Sequence, residues 1–241
     1  MSAANLLKKG RSGRKKRTEN IREPRNTKWL ILCGGEKTEP NYLKGLIHHL
    51  NNGRDENIDI DDKAIDPKSL VNRVDSYFSY SENMYRKSRV PYEKIILVFD
   101  KDAFCTDNFN DAINTAKCRY ADSIVAWSNE SFELWIYLHF HYNEAPLTRF
   151  DYNDKLTDIF RKCGIFNSRQ KYNLHGKKDD KLFENILKAG GCWEDAVSRA
   201  RKLVQDKNLH NPSNLNPATM VFEIVEALEV RYKKKEDVLC V

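Results

Sequence analysis

The residues best equipped for chemistry are carboxylates placed directly after two short apolar runs. Asp100-Lys101-Asp102 closes Ile95-Ile96-Leu97-Val98-Phe99, and Glu36 and Glu39 come after Gly34-Gly35 at the end of Leu30-Ile31-Leu32-Cys33. An unbroken apolar run of about four to eight residues reads as a buried strand of a parallel sheet. Ligands of open α/β sheets gather beyond the carboxyl ends of such strands, and neighbouring strands lie about 4.8 Å apart. Carboxylates delivered to that edge can surround hard divalent cations, which take oxygen ligands and often phosphate as a partner. Asp100 and Asp102, two apart, point the same way if the backbone stays extended; the plainer alternative is ordinary strand-end solvation. Glu36 and Glu39 can reach a cation, or simply interact with the amide donors of a helix start.

Further along, Glu130 and Glu133 open a helix after Trp127-Ser128-Asn129, with Ser128 or Asn129 as possible caps. Glu133 stands among Phe132, Leu134 and Trp135, where a carboxylate is expensive to bury unless paired or metal-bound. Helix-start electrostatics is the competing explanation. Lys177-Lys178, after Gly176, forms a short basic turn that either contacts a phosphate near a metal site or is a solvated loop. His139 and His141 are two apart on a presumed helix and do not share a face, which argues against a paired zinc site. Gly34-Gly35 lacks the further glycines and the Lys-Ser/Thr of a phosphate-binding loop.

Those side chains need a scaffold, and the hydrophobic pattern supplies one. Strands are expected at Lys28–Cys33, Ile58–Asp61, Lys94–Phe99 and Ser123–Trp127. Helices are expected over Pro40–Leu50, Pro67–Tyr85, Asn108–Lys117 and Ser131–His141, with Pro91 restarting the chain before the third strand. Strands alternating with helices give a parallel α/β core with helices on both faces. After Pro146 the strand signals stop: Lys155–Cys163, Asp180–Lys188 and Glu194–Gln205 read as helices, with Gly164–Lys178 irregular. Asn216 is expected to cap a last helix with Pro217 in its first turn. The expected organisation is a basic tail (1–26), an α/β domain (27–145) and a helical lobe (146–241) packed on it.

Of the formal net charge of +6, residues 1–26 contribute +7: Lys8, Lys9, Arg11, Arg14, Lys15, Lys16, Arg17, Arg22 and Arg25 against Glu19 and Glu23. Such a tail can bind nucleic-acid phosphates with strong salt dependence, or serve only as a solubilising arm. No apolar stretch is long enough to span a membrane, and the basic N-terminus lacks the apolar segment of a secretory signal. Six cysteines without close pairs (Cys33, Cys105, Cys118, Cys163, Cys192, Cys240) fit a reduced, cytoplasmic protein better than a disulfide framework. Oligomerisation is open.

Taken in order, several of these stretches resemble the RloB-like family, whose core is similar to a Toprim fold. They are Gly35-Glu36-Lys37-Thr38-Glu39-Pro40-Asn41-Tyr42, Phe99-Asp100-Lys101-Asp102, Ala126 to Asn129, Phe132-Glu133-Leu134-Trp135 and Leu138-His139-Phe140. Gly176-Lys177-Lys178, Ala196 to Ala200 and Asn216-Pro217-Ala218-Thr219 continue the match, which covers about residues 28–230. The resemblance implies a Toprim-like parallel sheet of about four strands and a C-terminal helical lobe. It implies a bacterial or archaeal protein of restriction and abortive-infection neighbourhoods, often beside an AAA- or ABC-type ATPase partner.

Toprim domains use a glutamate after the first strand, an Asp-x-Asp after a later one, and Mg²⁺ or Mn²⁺ to cut or join nucleic-acid backbones. Carried across, Asp100 and Asp102 match the Asp-x-Asp, and Glu133 is the further acidic ligand of nuclease-type relatives. The family pattern reads Cys-Glu-Gly where this chain has Cys33-Gly34-Gly35, so the Toprim glutamate falls on Gly34. Glu36 or Glu39 would have to take its place. The implied activity is metal-dependent cleavage of RNA, such as a transfer RNA, or of DNA. Asp100, Asp102, Glu133 and Glu36 would hold the metal, Glu36 or Glu39 would act as base, Lys177 would offset developing charge, and Lys178 and the tail would contact the strand. The alternative is a catalytically degenerate subunit that binds nucleic acid or the ATPase.

Overall fold

The computed structural model describes residues 28–53, 57–63, 65–84 and 92–239. The basic tail, with its expected contacts Lys8 to Arg17, lies outside the described residues, as do Pro91 and Cys240. Four strands, β1 (Lys28–Cys33), β2 (Ile58–Asp61), β3 (Tyr92–Asp100) and β4 (Ile124–Asn129), run parallel. A short fifth, β5 (Ala218–Thr219), pairs antiparallel with β4, and the order across the sheet is β2-β1-β3-β4-β5. Leu30 to Cys33, Ile96 to Phe99 and Val125 to Trp127 are all buried, because helices cover both faces.

The connections are α1 (Thr38–Leu50) between β1 and β2, α2 (Pro67–Met84) between β2 and β3, and α3 (Thr106–Arg119) between β3 and β4. The step from β1 goes outward to β2, whereas the step from β3 goes the opposite way to β4. Right-handed crossovers therefore send α1 to one face and α2 and α3 to the other; α2 packs on α3, and α1 packs elsewhere, on α6 (Leu182–Lys188) and α8 (Phe222–Leu239). The strand order thus reverses between β1 and β3, and a crevice opens beyond their carboxyl ends. Gly34 N–H donates to Val98 O at 2.7 Å, which ties the β1 exit to the end of β3.

Beyond β4 come α4 (Glu133–Leu138), α5 (Arg149–Lys162), a 3₁₀ turn at Gly176–Lys178, then α6, α7 (Trp193–Val204) and α8. Helices α6 to α8 form a C-terminal helical lobe, with α7 against α4 and α8 against β4. No described helix is long and apolar enough to cross a membrane.

Four expectations are corrected. The helix expected from Asn216-Pro217 starts only at Phe222, because Ala218 and Thr219 first satisfy the backbone groups on the open side of β4. Met220 N–H donates to Trp127 O at 2.8 Å, and the Thr219 and Ser128 hydroxyls lie 3.0 Å apart. Ser128 and Asn129 are accordingly strand residues and not helix caps: Asn129 Nδ2 donates to Ser213 O at 2.9 Å. Helix α4 has no side-chain cap and is shorter than Ser131–His141. Helix α5 begins six residues before Lys155, where Thr148 and Asp151 form a reciprocal capping box.

Candidate active site

One cleft of about 410 Å³ sits at the reversal point and is lined by Gly34, Gly35, Glu36, Glu39, Asp100, Asp102, Glu133, Lys177 and Lys178. Every site residue expected from the described part of the chain is therefore at its wall. Lys37, Thr38, Arg149 and Asn173 complete the polar lining.

Each carboxylate arrives on its own element. Glu39 is a buried first-turn residue of α1, and its carboxylate lies where a side chain on Gly35 would be: a Cβ built there would collide with both carboxylate oxygens. The Gly-Gly turn thus seats Glu39 against the backbone, while Glu36 is exposed at the cleft wall. Asp100 is the last residue of β3. The extended geometry expected through Asp102 ends there, because Asp102 has φ of +40°, a left-handed conformation that Asp tolerates better than most residues. Lys101 N–H and Asp102 N–H donate to Ser128 O and Glu130 O at 2.8 and 2.9 Å, so the end of β4 and the residue after it hold this bend. Asp102 still faces the cleft, through the bend rather than through strand alternation.

The Glu133 side chain is only 3% exposed, and it is not left alone. Lys177 Nζ lies 2.8 Å from its Oε1, and Arg149 Nε lies 3.8 Å from its Oε2. Gly176 makes this possible from the other side: a Cβ there would stand 2.5 Å from the Tyr172 ring, so the absence of a side chain lets the 3₁₀ turn press in and carry Lys177 to the cleft. Lys178 shares that turn and the wall.

Arg149 is the residue that sequence reasoning missed. Its Nη1 lies 2.9 Å from Asp102 Oδ2 and its Nη2 lies 3.5 Å from Asp100 Oδ2, so one guanidinium addresses three carboxylates. The signal that could have found it is the Thr148-Arg149-Phe150-Asp151 capping pattern, which puts Arg149 at the first position of α5.

The electrostatics are those of like charges gathered in a poorly solvated place. Burial, then the neighbouring Glu133, raises the Glu39 carboxyl to about 7, against the pull of its own backbone N–H, Arg149 and Lys177. Burial, then Glu39 and Glu133, holds the Asp100 carboxyl well above the usual range. Arg149 is pushed down by burial, but Glu133, Asp100 and Asp102 outweigh this and raise its pKa.

The donors fit a hard divalent cation in kind, being carboxylate oxygens, and Asp100 Oδ1 is a buried acceptor with no hydrogen-bond partner. They are not closed around a shared point: among the described residues no group of three or more His, Cys, Asp and Glu has metal-holding spacing. His139 lies elsewhere, buried between Tyr42 Oη (3.0 Å from Nε2) and Trp135 O (3.0 Å from Nδ1).

No curated protein and no solved structure matches the chain. The family model described as RloB-like protein matches residues 29–228, a span that contains every residue lining the cleft. The chain therefore belongs to the RloB-like protein family.

Proposed function

We propose that the cleft is the active site of a Mg²⁺- or Mn²⁺-dependent nuclease that hydrolyses phosphodiesters in RNA, such as a transfer RNA, or in DNA. The observation that carries this reading is the convergence of Glu39, Asp100, Asp102 and Glu133 with Lys177 at the point where the strand order reverses. A bound divalent ion supplies Lewis-acid polarisation of the phosphodiester and orientation of the attacking water. Asp100, Asp102 and Glu133 would hold it, with Glu36 available at the exposed wall. Glu39, with a carboxyl near 7, accepts a proton close to neutral pH. Lys177 offsets charge that develops on the phosphate, and Lys178 and the tail residues Lys8 to Arg17 contact the flanking backbone. The family resemblance adds a role in bacterial anti-phage defence beside an ATPase partner.

The test is incubation of the full chain with labelled total RNA and with plasmid DNA in Mn²⁺, comparing wild type with Asp100→Ala/Asp102→Ala. Metal-dependent cleavage by wild type alone is expected; equal cleavage by the double variant refutes the assignment.

The second reading, a degenerate subunit that binds nucleic acid or the ATPase, rests on Gly34, which supplies no carboxylate where the resemblance implies the Toprim glutamate. Gly34→Glu separates the two, since cleavage should rise only in a weakened enzyme. A Cβ at residue 34 would stand 3.1 Å from Phe99 Cβ, so folding of this variant is checked by its melting temperature.

A further inference from the structure

We infer that Arg149 is a displaceable counter-ion: its guanidinium competes with a divalent cation for Asp100, Asp102 and Glu133, and once displaced it binds a phosphate of the nucleic acid. This rests on the metal-dependent reading above and names a residue which that reading does not use.

The geometry carries the first half. Three nitrogens of a single guanidinium lie 2.9, 3.5 and 3.8 Å from oxygens of Asp102, Asp100 and Glu133. A small dication binds carboxylate oxygens at about 2.0–2.6 Å, so it would claim the same oxygens and stand within a few ångströms of the guanidinium. Two cations of that combined charge do not share the site without strong repulsion. Arg149 is also imperfectly satisfied where it lies. Its Nε is buried and makes no hydrogen bond, and Asp100 Oδ1, in the same ion cluster, accepts none. Nη1 and Nη2 donate to Asp102 and Asp100 at 2.9 and 3.5 Å, but the unmatched Nε and Oδ1 leave the cluster incompletely satisfied, and so cheaper to exchange than a fully keyed pairing.

The second half comes from chemistry and reach. A guanidinium presents a planar fork that matches phosphate oxygens, and Arg is favoured where phosphate is bound bidentately. Arg149 is the first residue of α5, at the wall of the cleft that also carries Lys177 and Lys178. A long side chain pivoting about that fixed helix start can leave the carboxylates without leaving the cleft.

The experiment measures Mn²⁺ binding to the full chain by calorimetry, without nucleic acid, for wild type, Arg149→Gln, Arg149→Lys and Asp100→Ala/Asp102→Ala. Arg149→Gln should bind Mn²⁺ about tenfold more tightly than wild type, the worth of one removed competing ion pair. Arg149→Lys retains the charge and should stay within about threefold of wild type. Anisotropy of a fluorescent oligonucleotide in Ca²⁺ should then show about tenfold weaker binding by Arg149→Gln. Melting curves establish that each variant is folded. Equal or weaker Mn²⁺ binding by Arg149→Gln overturns the competition, and unchanged oligonucleotide affinity overturns the phosphate contact. If wild type binds Mn²⁺ but the Asp100/Asp102 double variant binds it equally well, the metal site itself is misplaced and the proposal falls with it.

Discussion

Lys177→Met tests how the cleft tolerates Glu133. In the native protein Glu133 is 3% exposed as a side chain, Lys177 lies 2.8 Å away, and Arg149 offers only a 3.8 Å contact. Removing one partner of a fully buried ion pair costs about 3–5 kcal/mol, chiefly because the other charge is left uncompensated. Two features reduce that figure: Lys177 is itself 23% exposed, and Arg149 remains as a longer-range partner. A loss of about 2–3 kcal/mol is expected, a fall in melting temperature of about 5–10 °C for a chain of this size. Glu133→Gln should cost less, because the freed Lys177 ammonium has solvent within reach. The double variant Glu133→Gln/Lys177→Met should be close to Glu133→Gln alone, leaving a coupling energy of about 1.5 kcal/mol or more. Urea or thermal melts of the four proteins read this directly. If Lys177→Met shifts stability by less than about 0.5 kcal/mol, or the two substitutions are additive, Glu133 is not held by Lys177.

The same geometry fixes three further outcomes. Asp100→Asn replaces a carboxyl whose charged form is disfavoured by burial and then by Glu39 and Glu133, and should raise the melting temperature by about 2–4 °C, roughly 1 kcal/mol, while abolishing Mn²⁺ binding; a drop in stability refutes this account of the cluster. Gly35→Ala places a Cβ on the Glu39 carboxylate, which can swing away, so stability should change by less than about 1 kcal/mol while Mn²⁺-dependent cleavage falls about tenfold; unaltered cleavage would show that Glu39 need not rest on the turn. His139 titrates at about 4, chiefly because burial disfavours its charged form. With the unfolded value at about 6.5, its stabilising contribution is whole above that pH and is lost as pH falls towards 4, about 3 kcal/mol in all. Because Glu39 slopes the opposite way, the comparison is with His139→Gln, whose stability should fall less steeply between pH 7 and 4; identical slopes refute the assignment.

Local pattern was enough for the parallel core and for the carboxylates worth watching. Unbroken apolar runs at residues 30–33 and 95–99 specify strands buried on both faces, and the residues just past a strand must emerge at its carboxyl edge. That logic puts Asp100, Asp102 and the Gly34-Gly35 turn at one edge from the sequence alone; Glu133 stood out as a carboxylate in an apolar run and Lys177 as part of a basic turn, and the resemblance to the RloB-like family gave Glu133 its expected role as a further ligand. The tertiary structure decided whatever depends on meetings between distant segments. Glu39 rather than Glu36 turns inward because Gly35 leaves room for its carboxylate. Thr219 becomes a strand residue because β4 offers an open edge. Arg149 enters the cleft because Thr148 caps α5, which makes Arg149 its first residue, and the fold carries that start to the end of β3. Period and propensity act over a few residues, whereas a charge is satisfied by whatever the fold brings within about 4 Å. An isolated sequence names the ions, and packing chooses their partners.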